Sequence, residues 1–364
     1  MPRRHRAACA FLLGVILIRP LSAAVAASSW EPDPYSLGEG LYFPQEGLRV
    51  GGYADVFYFG LNHGTSSVSV EDLSLFLTKD IGSRWKIFSE TEIGEALTIT
   101  DHAIGTADAS LEIERLYADY FASSAATFRF GRFLTPVGQW NLVHADPLVW
   151  TISRPLSTAA GFSRSTNGAM LYGTRTVEHN DLDYTLFVDD TRAIGIANDT
   201  DYAYGSYGAA GETSPLKNEF THAAGGQLHY HAFADALSIG TSLATFELNS
   251  PRQSHRLVGL DFDWLGSDLE LSSESVYRTA DGPQAPAEYG GFLQAVASLP
   301  HQVFLVGRYE HYRNSLPDET DNLWTLGVNY RPSPGIVVKV ERDDSIRKST
   351  VMPSGWFASF AVLF

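Results

Sequence analysis

The chain has a single cysteine, Cys9, in 364 residues. Beyond the N-terminus no run approaches 18 consecutive apolar residues. The first absence excludes a disulfide-stapled exported scaffold. The second excludes helical membrane spans. Basic residues are also scarce: 26 Lys and Arg stand against 42 Asp and Glu, a formal net charge of −16. Nucleic-acid binding needs a basic face and is not expected. Also lacking are G-x-S-x-G, H-E-x-x-H and a phosphate-binding glycine loop, so nothing points to an enzyme, a cofactor or a metal.

The one long apolar run lies at the start, in "MPRRHRAACAFLLGVILIRPLSAAVAASSW". A basic stretch (Arg3, Arg4, Arg6), an apolar segment over 7–18 and small residues around Ala24-Val25-Ala26 predict a cleavable secretory signal over 1–27. Loss of Arg3, Arg4, Arg6 and Arg19 with it would leave 22 basic residues against 42 acidic. Residues 28–47 are expected to be a periplasmic N-terminal segment, and 48–364 one folded unit.

Aromatics, at 12%, and glycine, at 32 residues, are plentiful, and the apolar residues alternate. Leu73, Leu75 and Leu77 oppose Asp72, Ser74 and Thr78; Trp324, Leu326, Val328 and Tyr330 oppose Thr325, Gly327 and Asn329. Period two means strands. About sixteen such segments run from 48–58 to 355–364. Their connections alternate short ("DIGS", "SSAA", "LGS", "PHQ", "RPSP") and long (94–109, 135–165, 191–218). A soluble sandwich has no reason to sort its loops by parity. A transmembrane barrel does, with short periplasmic turns and long external loops. The fold class is therefore all-β: an antiparallel outer-membrane barrel of about 16 strands. The last strand, "GWFASFAVLF", sets Trp356, Phe360 and Phe364 on one face. It should close the barrel against the first strand and serve as the signal for the barrel-assembly machinery.

Alternation assigns an inward register to Asp55, Asp72, Glu90, Asp183, Asp189, Asp261, Asp263, Glu270, Glu274, Glu310 and Glu341, against Lys86, Arg129, Arg308 and Lys339. Such an excess of carboxylates favours cations in a water-filled pore. In the long loop, Gln139, His144, Asp146, Arg154 and Arg164 are the constriction candidates, although the arginines would equally serve by pinning the loop to nearby acids. Gly131 and Gly138 are assigned to tight backbone geometry. His229 and His231 share a face with a spacing zinc could use, but no third ligand is evident. They are read as a surface or rim pair. Asp189-Asp190 and Asp343-Asp344 are read as solvated acids near loops.

The stretch "RFGRFLTPVGQWNLVHADPLVWTISRPL", residues 129–156, resembles the Gly-x-Phe-x-Thr-Pro-x-Gly segment of porins of the phosphate-selective O/P type, and "GGYADVFYF" and the terminal aromatic fit the same superfamily. The resemblance implies a sixteen-stranded channel, often a trimer, among lipid and lipopolysaccharide in the outer membrane of a Gram-negative cell. Its loop after the fifth strand, here 135–165, enters the pore. The acidic inward register departs from a phosphate selector. The expected function is passive diffusion of small hydrophilic solutes or ions, weakly selective or cation-leaning, with an anion- or phosphate-selective porin as the alternative and an outer-membrane barrel enzyme a more distant one.

Overall fold

The computed structural model describes Tyr35, Leu37 and residues 40–62, 64–106, 109–143, 145–194, 220–248, 252–282, 287–315, 318–346 and 354–364. The signal segment expected over 1–27 lies outside the described residues, as does His144. Sixteen strands form one closed antiparallel sheet: β1 Leu48–Leu61, β2 Ser67–Ile81, β3 Trp85–Thr100, β4 Ser110–Ser123, β5 Ala126–Leu134, β6 Ser165–Val177, β7 Asn180–Asp189, β8 Phe220–Ala232, β9 Leu237–Leu248, β10 Gln253–Leu265, β11 Leu269–Ala280, β12 Glu288–Leu299, β13 Val303–Ser315, β14 Asp318–Ser333, β15 Ile336–Ser345 and β16 Gly355–Leu363. Every strand predicted from alternation is present. Two short strands, Leu41–Phe43 and Ile104–Gly105, pair onto β1 and β3.

Closure is made by β16 on β1, with Phe357 opposite Phe59 and Leu363 opposite Tyr53. Phe364 adds a reciprocal backbone pair with Gly52, 2.7 and 2.8 Å. The terminal aromatic thus completes the seam, and each of the sixteen strands is paired on both sides, as a bilayer requires.

The outer surface explains the alternation. Leu73, Leu75, Leu77, Leu186, Val188, Leu293 and Leu326 all point outward and are exposed. Aromatic residues flank this band. Trp85 packs on Tyr120 at 4.9 Å, with Tyr230, Trp264 and Tyr330 at the short-turn end; Tyr58, Tyr277, Tyr289, Trp324 and Trp356 lie nearer the loop end. Trp324 and Tyr330, six residues apart on β14, stand about 20 Å apart along the strand. This is the double girdle of a membrane barrel.

Loop parity holds as a trend only. All seven connections at one end have two to four residues, while the other end carries 135–164 and 190–219. Yet residues 316–317 also make a two-residue link, and β3 runs on to Thr100, so the loop expected over 94–109 shrinks to 101–109.

Candidate functional site: the loop inside the barrel

The thirty residues between β5 and β6 fold into the lumen. Their two ends are clamped together: the Thr135 amide donates to Arg164 O (2.8 Å), and Asn141 Nδ2 donates to Thr135 O and Arg164 O (2.9 and 3.0 Å). A 3₁₀ turn, Trp140–Val143, and a short helix α1, Leu156–Gly161, shape the middle. Gly138 sits at φ +65°, and a Cβ there would lie 2.4 Å from the Glu274 carboxylate. Gly131, at φ +128°, would place one 2.2 Å from Leu116 O. Both glycines are required by backbone geometry, as the sequence reading held.

What draws the loop inward is a double complement on the wall of β7–β16 and on the adjoining β1. The first part is apolar. Val137, Leu156, Ala159, Ala160 and Phe162 pack with inward-facing Phe187, Phe246, Leu257, Val276 and Tyr312 in one buried core. Ile152 joins Phe57, Phe59 and Phe357 in a second. Burying a side chain of this size contributes about 1.5–3 kcal/mol.

The second part is polar. Three wall glutamates accept loop amides: Glu274 takes those of Gln139 and Trp140 (2.7 and 2.5 Å), Glu341 those of Ile152 and Ser153 (2.9 and 2.8 Å), and Glu310 that of Leu156 (2.8 Å). Lys339 donates to Asp146 Oδ1 and O at 2.7 and 2.6 Å; both residues are buried. Ser359 also reaches Asp146 (3.0 Å). Arg331 donates to the carbonyls of Pro147 and Val149, and Arg308 reaches Thr151, Ser153 (2.7 Å) and Glu310 (2.6 Å). Charge-assisted bonds of this kind are the strong class. They explain where inward-facing Glu274, Glu310, Glu341, Arg308 and Lys339 are used: they hold the loop.

The constriction candidates divide accordingly. Gln139 Nε2 lies 3.3 Å from Ser238 Oγ and from Asp261 Oδ1, on the loop-bearing wall. Asp146 is the Lys339 anchor. Arg154 donates to Asn141 Oδ1 (2.6 Å) and lies over the Trp140 ring, within the loop itself. Arg164 pairs with Glu114 on β4. It therefore faces the opposite wall, where carboxylates crowd: Asp55, Glu71, Asp72, Glu90, Glu92 and Glu114, with Arg115 paired to Glu90. Ligand oxygens of Glu90, Glu92 and Glu114 lie within 4.8 Å of one another. Sequence alternation missed Glu71 and Glu114 because bulges at Val70/Asp72 and Glu90/Thr91 shift the register there.

Three further assignments change. His229 and His231 are not a surface pair; both point inward, each with its own carboxylate, His229 with buried Asp261 (2.8 Å) and His231, next to the end of its strand, with half-exposed Asp183 (3.1 Å). Asp343 is not a solvated loop acid; it is buried on the inward face of β15. Asp189 accepts the amides of Asn167 and Thr191 (2.7 and 3.0 Å) and fixes the start of helix α2, Thr191–Ile194. Of the other assigned lumen charges, Arg129 pairs with Asp119, Glu270 accepts the Trp150 indole N–H (2.7 Å), and Lys86 and Asp263 are half-buried on the inward face.

No protein-family model matches the chain. An uncharacterized protein of Aquifex aeolicus is 22% identical over 83% of this chain and 76% of its own length. Among solved structures, Salmonella typhi OmpF in complex with daunomycin superposes over 87% of this chain and 97% of its own, with a TM-score of 0.58 at 10% identity. The outer membrane channel DcaP of Acinetobacter baumannii matches over the same shares, with a TM-score of 0.55 at 12% identity. The anion-selective porin from Comamonas acidovorans matches over 87% and 98%, with a TM-score of 0.54 at 15% identity. The chain has the fold of an outer-membrane porin barrel.

Proposed function

We propose that the protein is an outer-membrane channel for passive diffusion of small hydrophilic solutes or ions, narrowed by residues 135–164. One observation carries this reading: a closed sixteen-stranded barrel, apolar outside, holds a thirty-residue loop against one side of its lumen. Barrels of this width enclose water. The kinship with O/P-type porins rests on the segment 129–156 and on the position of this loop. On the same reading the barrel lies among lipid and lipopolysaccharide, is inserted by the assembly machinery through its terminal strand, and associates as a trimer, as one Vibrio cholerae OmpT structure does.

The channel leans towards cations. Support comes from the wall of β1–β4, where the carboxylates outnumber the arginines that reach them. A unit charge pair at 4 Å is worth only about 1 kcal/mol in water, but several fixed charges of one sign in a confined lumen sum to several kT.

The test is planar-bilayer recording of the purified full chain. Removing 141–160 should raise single-channel conductance at least twofold. Unchanged conductance in a heat-modifiable, correctly inserted variant would place the loop outside the conduction path. In a salt gradient the zero-current potential should be cation-selective and weaken at high salt, because the Debye length falls from about 10 Å at 0.1 M to about 3 Å at 1 M. Anion selectivity with current blocked by phosphate would favour the alternative.

A further inference from the structure

The wall of β1–β6 carries a second feature, below the carboxylates and nearer the short turns. Alternate inward positions are aromatic on neighbouring strands. Tyr53 on β1 lies 5.8 Å from Phe76 on β2; Phe76 lies 5.9 Å from Phe88 on β3; Phe88 stacks at 5.2 Å on Tyr117 of β4. The Arg129 guanidinium on β5 then bridges Tyr117 and Tyr172 of β6, at 3.6 and 5.1 Å from the ring centroids. The rings face the lumen, because Leu75, Leu77, Ile87, Leu116 and Phe128 beside them point out. Tyr117 and Tyr172 touch the edge of the loop core but stay half-buried.

A water-filled lumen gives no reason to line one level with rings. Four half-buried aromatics, Phe76, Phe88, Tyr117 and Tyr172, continued by buried Tyr53 and joined between Tyr117 and Tyr172 by Arg129, make a contact surface for a solute with an apolar face. Their polar partners define the rest of that solute. Arg129 makes a two-pronged bond with Asp119 (2.8 and 2.9 Å), and Arg115, 4.8 Å above the Phe88 ring, pairs with Glu90. Tyr172 donates to Asp119 (3.0 Å) and Tyr53 to Glu92 (3.1 Å). Both guanidinium groups are thus compensated, so an ionic solute gains little Coulomb energy from them. What remains are planar, paired donors and acceptors beside ring faces.

We propose that this band is a binding surface for neutral polyhydroxylated solutes, that is, saccharides. A sugar ring offers C–H groups on one face for the aromatics and vicinal hydroxyls at its edge for paired carboxylate and guanidinium groups. The proposal deepens the channel function above and rests on it.

The probe is maltotetraose added to the full-length protein in a planar bilayer, with a polyethylene glycol of equal hydrodynamic radius as the control. Maltotetraose should block the ion current saturably, while the glycol lowers it only in proportion to concentration. In the Phe88→Leu/Tyr117→Leu variant the half-blocking concentration should rise about tenfold, the effect of about 1.4 kcal/mol of lost ring contact. The single Phe88→Leu variant, which keeps the Arg129 contact, should show a smaller rise of the same sign and serves if the double variant does not insert. Equal, non-saturating effects of sugar and glycol on a normally conducting channel would overturn the proposal and leave the channel function standing. So would a half-blocking concentration unchanged in the variants. A folded barrel that passes no current would instead overturn the channel function itself.

Discussion

The two halves of the barrel interior are built to opposite plans. The wall of β7–β16 is dry: it buries Phe187, Phe246, Leu257 and Val276 beside Arg308, Glu310, Lys339 and Glu341, all against the loop. The wall of β1–β6, beyond Phe57 and Phe59 at the β1 seam, carries crowded carboxylates with a band of mostly half-buried rings below them. The same inward-facing residue types therefore do different things. Glu341 and Glu274 are structural acceptors for loop amides, whereas Glu92 accepts from Tyr53 and Ser74 on its own wall, with Asp72 beside it. Counting lumen charges without this division overstates the acidity a passing ion meets.

The largest effect should come from breaking the dry half at its most buried charge. Lys339→Met leaves Asp146 inside the barrel without its ion-pair partner, and removing one partner of a buried pair costs about 3–5 kcal/mol. The loop should loosen before the sheet does. Protease cleavage within 140–160 in folded, membrane-inserted protein, together with noisy single-channel current, is the expected signature. A quiet channel with a protease-resistant loop would mean that the three glutamate caps suffice alone. The double variant Lys339→Met/Asp146→Leu should recover most of the loss, because neither charge then remains buried.

A second effect tests the outer surface that both halves share. Leu326 points outward at mid-strand on β14 and is 63% exposed. Leu326→Arg should destabilise the barrel by about 2–4 kcal/mol if it sits near the bilayer midplane. Reversible urea unfolding in lipid vesicles reads this directly, and an effect under about 0.5 kcal/mol would place Leu326 outside the hydrocarbon.

The acidic wall gives a smaller, electrostatic effect. Asp72→Asn with Glu92→Gln removes two carboxylates without touching a loop anchor. Cation preference in a tenfold salt gradient should fall by at least half at low salt and change little at high salt. No change in the zero-current potential would show that ions pass elsewhere.

Most of the fold was legible in the sequence because lipid enforces strict alternation. Leu73-x-Leu75-x-Leu77 and Trp324-x-Leu326-x-Val328-x-Tyr330 leave little choice of face. The inward face was less legible. Alternation identifies which residues point in, but whether they meet water or the loop depends on contacts across more than a hundred residues, such as Glu341 with Ile152 or Lys339 with Asp146. Bulges hid Glu71 and Glu114, since one extra residue moves a side chain to the other face. The aromatic band was hidden differently. Its members are single inward rings on separate strands, and only the register that sets Phe88 opposite Tyr117 joins them.

The finest contrast between the two halves lies on one strand. His229 and His231 sit two residues apart on β8, with ring centroids 6.3 Å apart, yet their environments differ. His229 is 9% exposed and meets buried Asp261 beside Gln139 of the loop. Gly240 makes the room: a Cβ there would lie 2.1 Å from both His229 and Asp261. His231 meets Asp183, whose side chain is 46% exposed. Removal of the first imidazole strips a buried carboxylate of a partner, which costs about 1–3 kcal/mol. Removal of the second breaks a solvated pair worth about 0–1 kcal/mol. His229→Ala should therefore lower stability in urea clearly, and His231→Ala should barely change it. Equal losses would mean that water reaches Asp261 as freely as Asp183, and that the boundary of the dry half lies on the far side of β8, towards β10.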